Sequence, residues 1–364
     1  MQKVVITGIG TVNALGLDAP HFLEGLRASR SAIGPIKGFD TSPFRSKLGA
    51  EVRGFEPSKF IDPMKLRRMD RLSRMVLVSS VEAMKDAGLS ARTMPPERIG
   101  VVIGNGYGGT SCTEEFFEGL LMRGPAGVNP MLFPTTVPNS AASITSIELN
   151  LKGPNCTFCQ KDISAEEAVI YAAELIRKGA ADAVIAGGGE ELNGVIYHAF
   201  DSLGILSPGR KGGSEGSFPF GQGRNGRVLG EGAGVLALES LESANKRGAR
   251  VYAELAGEAI FGGRPGISSY GKNPIPAARA MESVVFRETA TPLTLEKYTG
   301  NLRGAAFGWE QNVSNERVSP RTRLSGLFFA GHWTYPGGGI ESVAASGLAA
   351  AESAAAAINK EAFN

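Results

Sequence analysis

The chain has 364 residues, 42% of them apolar and 20% charged, the profile of a globular protein with one large domain or two smaller ones. Its 38 basic and 36 acidic side chains give a net charge of +2 and are scattered without blocks, so no nucleic-acid or membrane surface is expected. Three cysteines are too few for a disulfide framework, and 49 glycines point to many tight turns.

The opening "MQKVVITGIGTVNALG" reads as a strand running into a glycine turn, with no basic and hydrophobic leader. No later apolar run is long enough to span a bilayer, and a cytoplasmic protein is the natural expectation. Gly8 and Gly10 invite a dinucleotide-binding reading. It fails because the place of the third glycine is held by Asn13.

Further along, "RLSRMVLVSSVEAMKDAGL" has the spacing of an amphipathic helix, and "RIGVVIGNGYGG" that of a strand entering a glycine turn. In "GPNCTFCQKDISAEEAVIYAAELIRKG", residues 153–179, a buried strand gives way to a helix whose apolar face is Ala165, Ala168, Val169, Ala172, Leu175 and Ile176. "AADAVIAGGGEE" is another buried strand. "RVLGEGAGVLALESLESANKRGARVYAELAG" reads as a strand, a short helix closed by Gly248, and a further strand. The alternation predicts an α/β protein with a buried sheet.

Cys112, Cys156 and Cys159 are expected as buried, reduced thiols. Cys156 and Cys159 form a CxxC, but no second pair completes a zinc site, and His198 and His332 are remote in sequence. No metal site is predicted.

Long collinear segments carry a family resemblance: "VVITGIGTVNALG", "MDRLSRMVLVSSVEAMKDAGL", "GVVIGNGYGG", "NPMLFPTTVPNSAASITSIELNLKGPN", "AELIRKGAADAVIAGGGEE" and "GRNGRVLGEGAGVLALESLESANKRGARVYAEL". From Met1 to about Met281 the chain resembles the β-ketoacyl-acyl carrier protein synthases, the condensing enzymes of fatty-acid and polyketide synthesis. The resemblance implies a thiolase-like, layered α-β-α fold. It also implies a dimer formed through strands beside the nucleophile elbow.

The family's nucleophile is a cysteine at that elbow, in a run like GP-x-x-TV-x-TACASG-x-x-A. Aligned without a gap, Gly153, Pro154, Thr157, Ser164 and Ala168 fall on their family counterparts, and the cysteine position is Asp162. A carboxylate stabilised by a helix N-terminus is a poor nucleophile toward a thioester, and its acyl product would be a labile anhydride. Asp162 is therefore expected to cap the helix in an inactive site. Cys159, three residues earlier, is expected on the strand, where it cannot replace the missing thiol. By the same resemblance Tyr107, Leu132 and Phe133 fall in the acyl-channel region, or else belong to the core.

The family's two catalytic histidines sit in an HGT run and a K-x-x-x-GH-x-x-GAAG run. No HGT occurs here, and Gly331-His332 has Leu327 where the lysine belongs; His21, His198 and His332 match neither position. From about Val285 the sequence instead resembles the C-terminal end of carotenoid desaturase and isomerase flavoproteins, ending in a helix opened by Gly337, Gly338 and Gly339. A ketoacyl-synthase-like domain over 1–281 and a flavoprotein-like tail over 285–364 are thus expected, with the C-terminal half of the condensing-enzyme fold largely replaced. The βαβ unit that would hold a flavin's adenine dinucleotide is absent, so no cofactor is predicted.

Two function classes follow. The first is a non-condensing synthase homologue, similar to the chain-length factors, that partners an acyl carrier protein or an intact ketosynthase as a homodimer or heterodimer. The second is a flavin-dependent oxidoreductase fragment. A gene-fusion relic is the remaining alternative.

Overall fold

The computed structural model describes residues 2–209, 215–218, 223–262 and 279–280. The chain divides into two compact units, one of Met1–Gly216 with Gly226–Ile260, the other of Ser217–Asn225 with Phe261–Asn364. Every element below belongs to the first unit. The expected tail over 285–364, with His332 and the Gly337–Gly339 helix start, lies outside the described residues.

In chain order the elements are β1 (Val4–Asn13), α1 (Ala19–Arg27), β2 (Gly34–Pro35), β3 (Leu48–Gly49), α2 (Pro63–Leu66), α3 (Arg71–Ala87), β4 (Ile99–Gly104), α4 (Thr110–Arg123), α5 (Ser140–Glu148), β5 (Asn155–Phe158), α6 (Ser164–Arg177), β6 (Ala183–Glu190), α7 (Gly194–Ser202), β7 (Gly232–Ser240), α8 (Leu241–Lys246) and β8 (Ala253–Glu254). Six of the strands form one mixed sheet in the order β5-β4-β6-β7-β1-β8. β5, β4 and β6 run parallel, whereas β6 pairs antiparallel with β7, and β1 antiparallel with both β7 and β8.

Side-chain alternation along these strands makes two cores. Ile99, Val101 and Ile103 of β4, with Ala183 and Ile185 of β6 and Val235 and Ala237 of β7, meet α3 and α5 on one face. Val102, Val184, Ala186 and Leu238 point the other way, onto Ala168, Ala172, Ala173 and Ile176 of α6. Helices cover both faces, which is the expected α-β-α layering, and it explains why the central strands read as unbroken apolar runs. Among the described residues no helix is long and apolar enough to cross a membrane.

Local sequence accounts for the long helix α3. Asp70 caps its start by accepting the Ser73 N–H at 2.7 Å, and Gly88, at φ 65°, closes its end in the left-handed conformation. Leu72, Met75, Val76 and Leu77 are buried along it, each contributing roughly 1.5–3 kcal/mol to the core.

Two expectations about strands need correction. Gly8 and Gly10 do not turn the chain: both lie inside β1, which runs on to Asn13. They are needed because α3 lies so close that a Cβ at Gly10 would sit 1.9 Å from the Ser79 carbonyl oxygen. The strand before the elbow is not buried either. β5 is four residues long, forms an edge of the sheet among the described residues, and is half-buried from Cys156 to Phe158.

Candidate functional site

The elbow is built between β5 and α6 as the sequence predicts, with a detail that local patterning hides. A 3-10 turn, Lys161–Ile163, separates strand from helix, and Lys161 adopts a left-handed φ of 59°. For a residue with a side chain this conformation is strained, and such strain accompanies positions the surrounding structure holds in place. Ser164 does the holding: its hydroxyl accepts the Gln160 N–H at 2.8 Å and donates to the Lys161 carbonyl at 2.8 Å. The first turn of α6 then packs directly on the sheet. A Cβ on Gly104 would lie 2.0 Å from the Ser164 carbonyl oxygen, and one on Gly188 would lie 2.7 Å from the Ala165 Cβ.

Asp162 sits within the turn, and the N-cap position of α6 falls on Ile163, so Asp162 comes one residue too early for the expected cap. Its carboxylate lies 3.8 Å from the Arg227 guanidinium, with both side chains more than half exposed. Pairs of this kind contribute at most about 1 kcal/mol.

Around the turn the fold assembles groups from three other segments. Lys161 donates from Nζ to the Gly106 carbonyl at 3.1 Å and places its ammonium 4.1 Å from the centre of the Tyr107 ring. Glu190, the last residue of β6, accepts the Gly106 N–H at 2.7 Å and the Tyr107 N–H at 3.2 Å on the same oxygen, Oε2. Its other oxygen, Oε1, is sealed from solvent without a hydrogen-bond partner. Burial, reinforced by the neighbouring charge of Glu191, pushes the Glu190 carboxyl up to about 7 despite the Gly106, Tyr107 and Glu191 N–H groups.

Cys159 needs correction on two counts. It lies just past β5, and it is exposed rather than buried; Cys112 and Cys156 are half-buried. All three thiols are free. The Cys159 sulfur is 3.8 Å from Asn105 Oδ1. Partial burial and then the charge of Glu190 push its thiol up, while Lys161 pulls it down, so it is a poor thiolate at neutral pH. Burial also raises the Cys112 thiol.

Of the channel candidates, Tyr107 belongs to the elbow group and sets its ring edge-on to Phe200 at 6.1 Å. Burial, then the charges of Asp162 and Glu190, push its hydroxyl up. Leu132 is half-buried, and Phe133, exposed, packs its ring against Phe116 of α4 at 5.9 Å. Phe117, Leu121 and Met122 of α4 are also exposed.

A cleft of about 530 Å³ is lined by Lys37, Glu51, Arg53, Arg71, Asn193 and Glu231 among others, with none of the elbow residues in its wall. Its charges are largely matched within the chain: Arg71 pairs with Glu231 at 2.6 Å and Arg53 with Glu51 at 3.2 Å. The elbow, not this cleft, carries the unusual chemistry. Among the described residues no group of three or more His, Cys, Asp or Glu could hold a metal ion.

Sequence reasoning did not single out Lys161, Glu190 or Arg227. The doubled glutamate after three glycines in "GGGEE" was the visible signal, because a carboxylate at the end of a buried strand must find a partner there.

The family described as β-ketoacyl synthase, N-terminal domain, matches residues 1–244. The chain belongs to the β-ketoacyl synthase family. It is 36% identical over 260 residues to 3-oxoacyl-(acyl-carrier-protein) synthase 2 of Synechocystis sp., a match covering 71% of this chain and 62% of that one. This chain thus spans a little under two thirds of that relative's length. With the Staphylococcus aureus enzyme of the same name it is 34% identical over 349 residues, 94% of this chain and 84% of that one. An alignment of that reach necessarily runs past residue 285, where the sequence reading ends the resemblance.

Solved structures agree on the thiolase-like ketosynthase fold. The ishigamide ketosynthase/chain length factor superposes with a TM-score of 0.70 at 28% identity, over 79% of this chain and 70% of that one. A β-ketoacyl synthase from Burkholderia phymatum gives 0.68 at 31%, over 78% and 70%. The complex AntDE:AntF, an acyl-carrier protein with its type II polyketide ketosynthase bound to the hexaketide, gives 0.67 at 25%, over 78% and 69%.

Proposed function

We propose that this β-ketoacyl synthase homologue does not condense acyl groups and instead shapes or regulates the acyl channel of a partner, as a chain-length factor would. The observation that carries the reading is Asp162 at the elbow. The turn keeps its strained backbone and the helix behind it, yet the reacting group is a carboxylate. Attack on a thioester by that carboxylate would expel a thiolate and leave a mixed anhydride, which water cleaves, so no stable acyl-enzyme would accumulate.

The partners this reading requires are an acyl carrier protein or an intact ketosynthase. Two of the similar structures support partners of this kind, since one pairs a ketosynthase with a chain length factor and another holds an acyl-carrier protein. The half-buried strand β5, which among the described residues has a strand partner on one side only, offers the surface for a dimer. In this reading residues 1–281 form the synthase-like part and 285–364 the tail, no cofactor is bound, and Tyr107, Leu132 and Phe133 border the channel.

Light scattering during size-exclusion chromatography, on the protein alone and mixed with an intact synthase from the same cell, tests the reading. A homodimer or a mixed dimer is expected. A strictly monomeric protein that ignores the synthase would instead support the relic, and a yellow preparation with flavin absorbance would support the oxidoreductase.

A further prediction concerns repair of the elbow. Asp162→Cys places a thiol beside the start of α6 and within reach of Arg227, both of which favour the thiolate. Cys112 and Cys159 are held the other way. The new thiol is expected to react with iodoacetamide about tenfold faster than either, since one unit of thiol pKa near neutral pH changes the thiolate fraction by that factor. Peptide mapping of the alkylated variant reads the ratio; equal labelling would mean that the turn gives no activation.

A further inference from the structure

The loop between β4 and α4 is fastened at both ends, and two side chains from outside it, Glu190 and Lys161, hydrogen-bond its middle. At its start Asn105 donates its N–H to the Phe158 carbonyl at 3.0 Å and its Nδ2 to the Pro138 carbonyl at 2.8 Å. At its far end the Ser111 N–H donates to Glu191 at 2.6 Å. Between them, Gly106 and Tyr107 are held by Glu190 Oε2 from the sheet and by Lys161 from the elbow turn.

We propose that Glu190 is a proton-operated latch: protonated, it stays tucked under the Gly106–Tyr107 peptide and keeps the loop closed over the elbow, and on ionisation it releases that peptide toward solvent. The geometry supplies the reason. Oε2 takes the Gly106 and Tyr107 N–H donors and the Glu191 N–H adds a weaker contribution, while Oε1 is sealed without a hydrogen-bond partner, so a full negative charge is compensated unevenly. A buried charge left half-satisfied favours either neutralisation or escape to water.

The groups that face the latch push in the same direction or act beside it. Glu191, the residue just past β6, adds a second negative charge. From the loop, Tyr107 presents a neutral hydroxyl, pushed up by burial and then by the charges of Asp162 and Glu190. From the elbow, Cys159 feels both Glu190 and Lys161, Lys161 is committed to the Gly106 carbonyl and the Tyr107 ring, and Asp162 faces Arg227.

The direction of the pH effect follows from linkage. The closed state raises the Glu190 carboxyl from 4.5 to about 7, so it binds the proton more tightly than an open, solvated state does. The closed loop is therefore fully stabilised by this group below the solvated value and loses that contribution as pH rises through about 7. Between pH 6 and pH 8 the closing equilibrium falls about tenfold. The latch does not depend on whether the protein condenses acyl groups.

Deuterium exchange on the full chain at pH 6, 7 and 8, corrected for intrinsic chemical rates, tests the latch through the Gly106 and Tyr107 amides. In the native protein their protection is expected to fall about tenfold from pH 6 to pH 8. Glu190→Gln keeps an acceptor oxygen for both N–H groups but cannot ionise, and its protection is expected to stay constant across the range. Lys161→Gln is expected to lower protection at every pH while keeping the fall. Constant protection in the native protein overturns the proposal without reference to any variant, and a fall that persists in Glu190→Gln overturns it as well.

Discussion

Supplied with acyl- and malonyl-acyl carrier protein, the purified chain is expected to elongate at a rate at least about 10³-fold below that of an intact synthase, because loss of one member of an interdependent catalytic group removes most of the rate. The warrant is specific to Asp162. A thiolate is polarizable and attacks a thioester carbonyl readily, whereas a carboxylate is harder and its acyl product is an anhydride that water cleaves. Cys159 is not expected to rescue the reaction: it precedes the turn, and partial burial, then the charge of Glu190, disfavours its thiolate. A radiolabelled chain-elongation assay measures the outcome, and turnover within tenfold of an intact synthase would require a nucleophile other than the one the elbow presents.

Gly104→Ala is expected to destabilise the protein by about 3 kcal/mol, at the upper end for added bulk in a packed core. The new methyl would lie 2.0 Å from the Ser164 carbonyl oxygen and 2.5 Å from the Ala165 nitrogen. Both are backbone atoms of the first turn of α6, so relief requires moving the helix rather than rotating a side chain. That movement would also take the Ser164 bonds to Gln160 and Lys161 with it and dissolve the elbow. Gly234→Ala in β7 is the control: it has open space where the methyl would go, and its change is expected to stay below about 1 kcal/mol. Urea unfolding of both variants gives the comparison. Equal stability would mean that α6 adapts at no cost.

How much of this could be read from the chain depends on the range of the interaction. The helix 164–177 and the strand 183–190 were legible because their signals are local: apolar spacing of 3.6 in one and an unbroken apolar run in the other. The position of Asp162 was legible for the same reason, since a gap-free run of matching residues surrounds it. The reading of the glycines misled because composition does not distinguish a glycine that turns the chain from one that admits a neighbour. Gly10 serves α3, whose Ser79 is 69 residues away, and Gly104 serves α6, whose Ser164 is 60 away.

The depth of β5 was misread because an apolar run cannot report whether a strand has one neighbour or two. Among the described residues β5 has only β4 beside it, Cys156 is half-buried and Cys159 emerges at the surface.

By itself, then, the sequence determined the order of strands and helices, the family, and the carboxylate at the elbow, all of which are carried by neighbours in the chain. Only the tertiary structure decided what that carboxylate lives beside. Lys161, Tyr107, Glu190 and Arg227 come from four separate segments and meet because parallel strands β5, β4 and β6 end at the same edge of the sheet. The raised Glu190 carboxyl is likewise a tertiary property, because it arises from desolvation, and no residue is desolvated until the layers close over it.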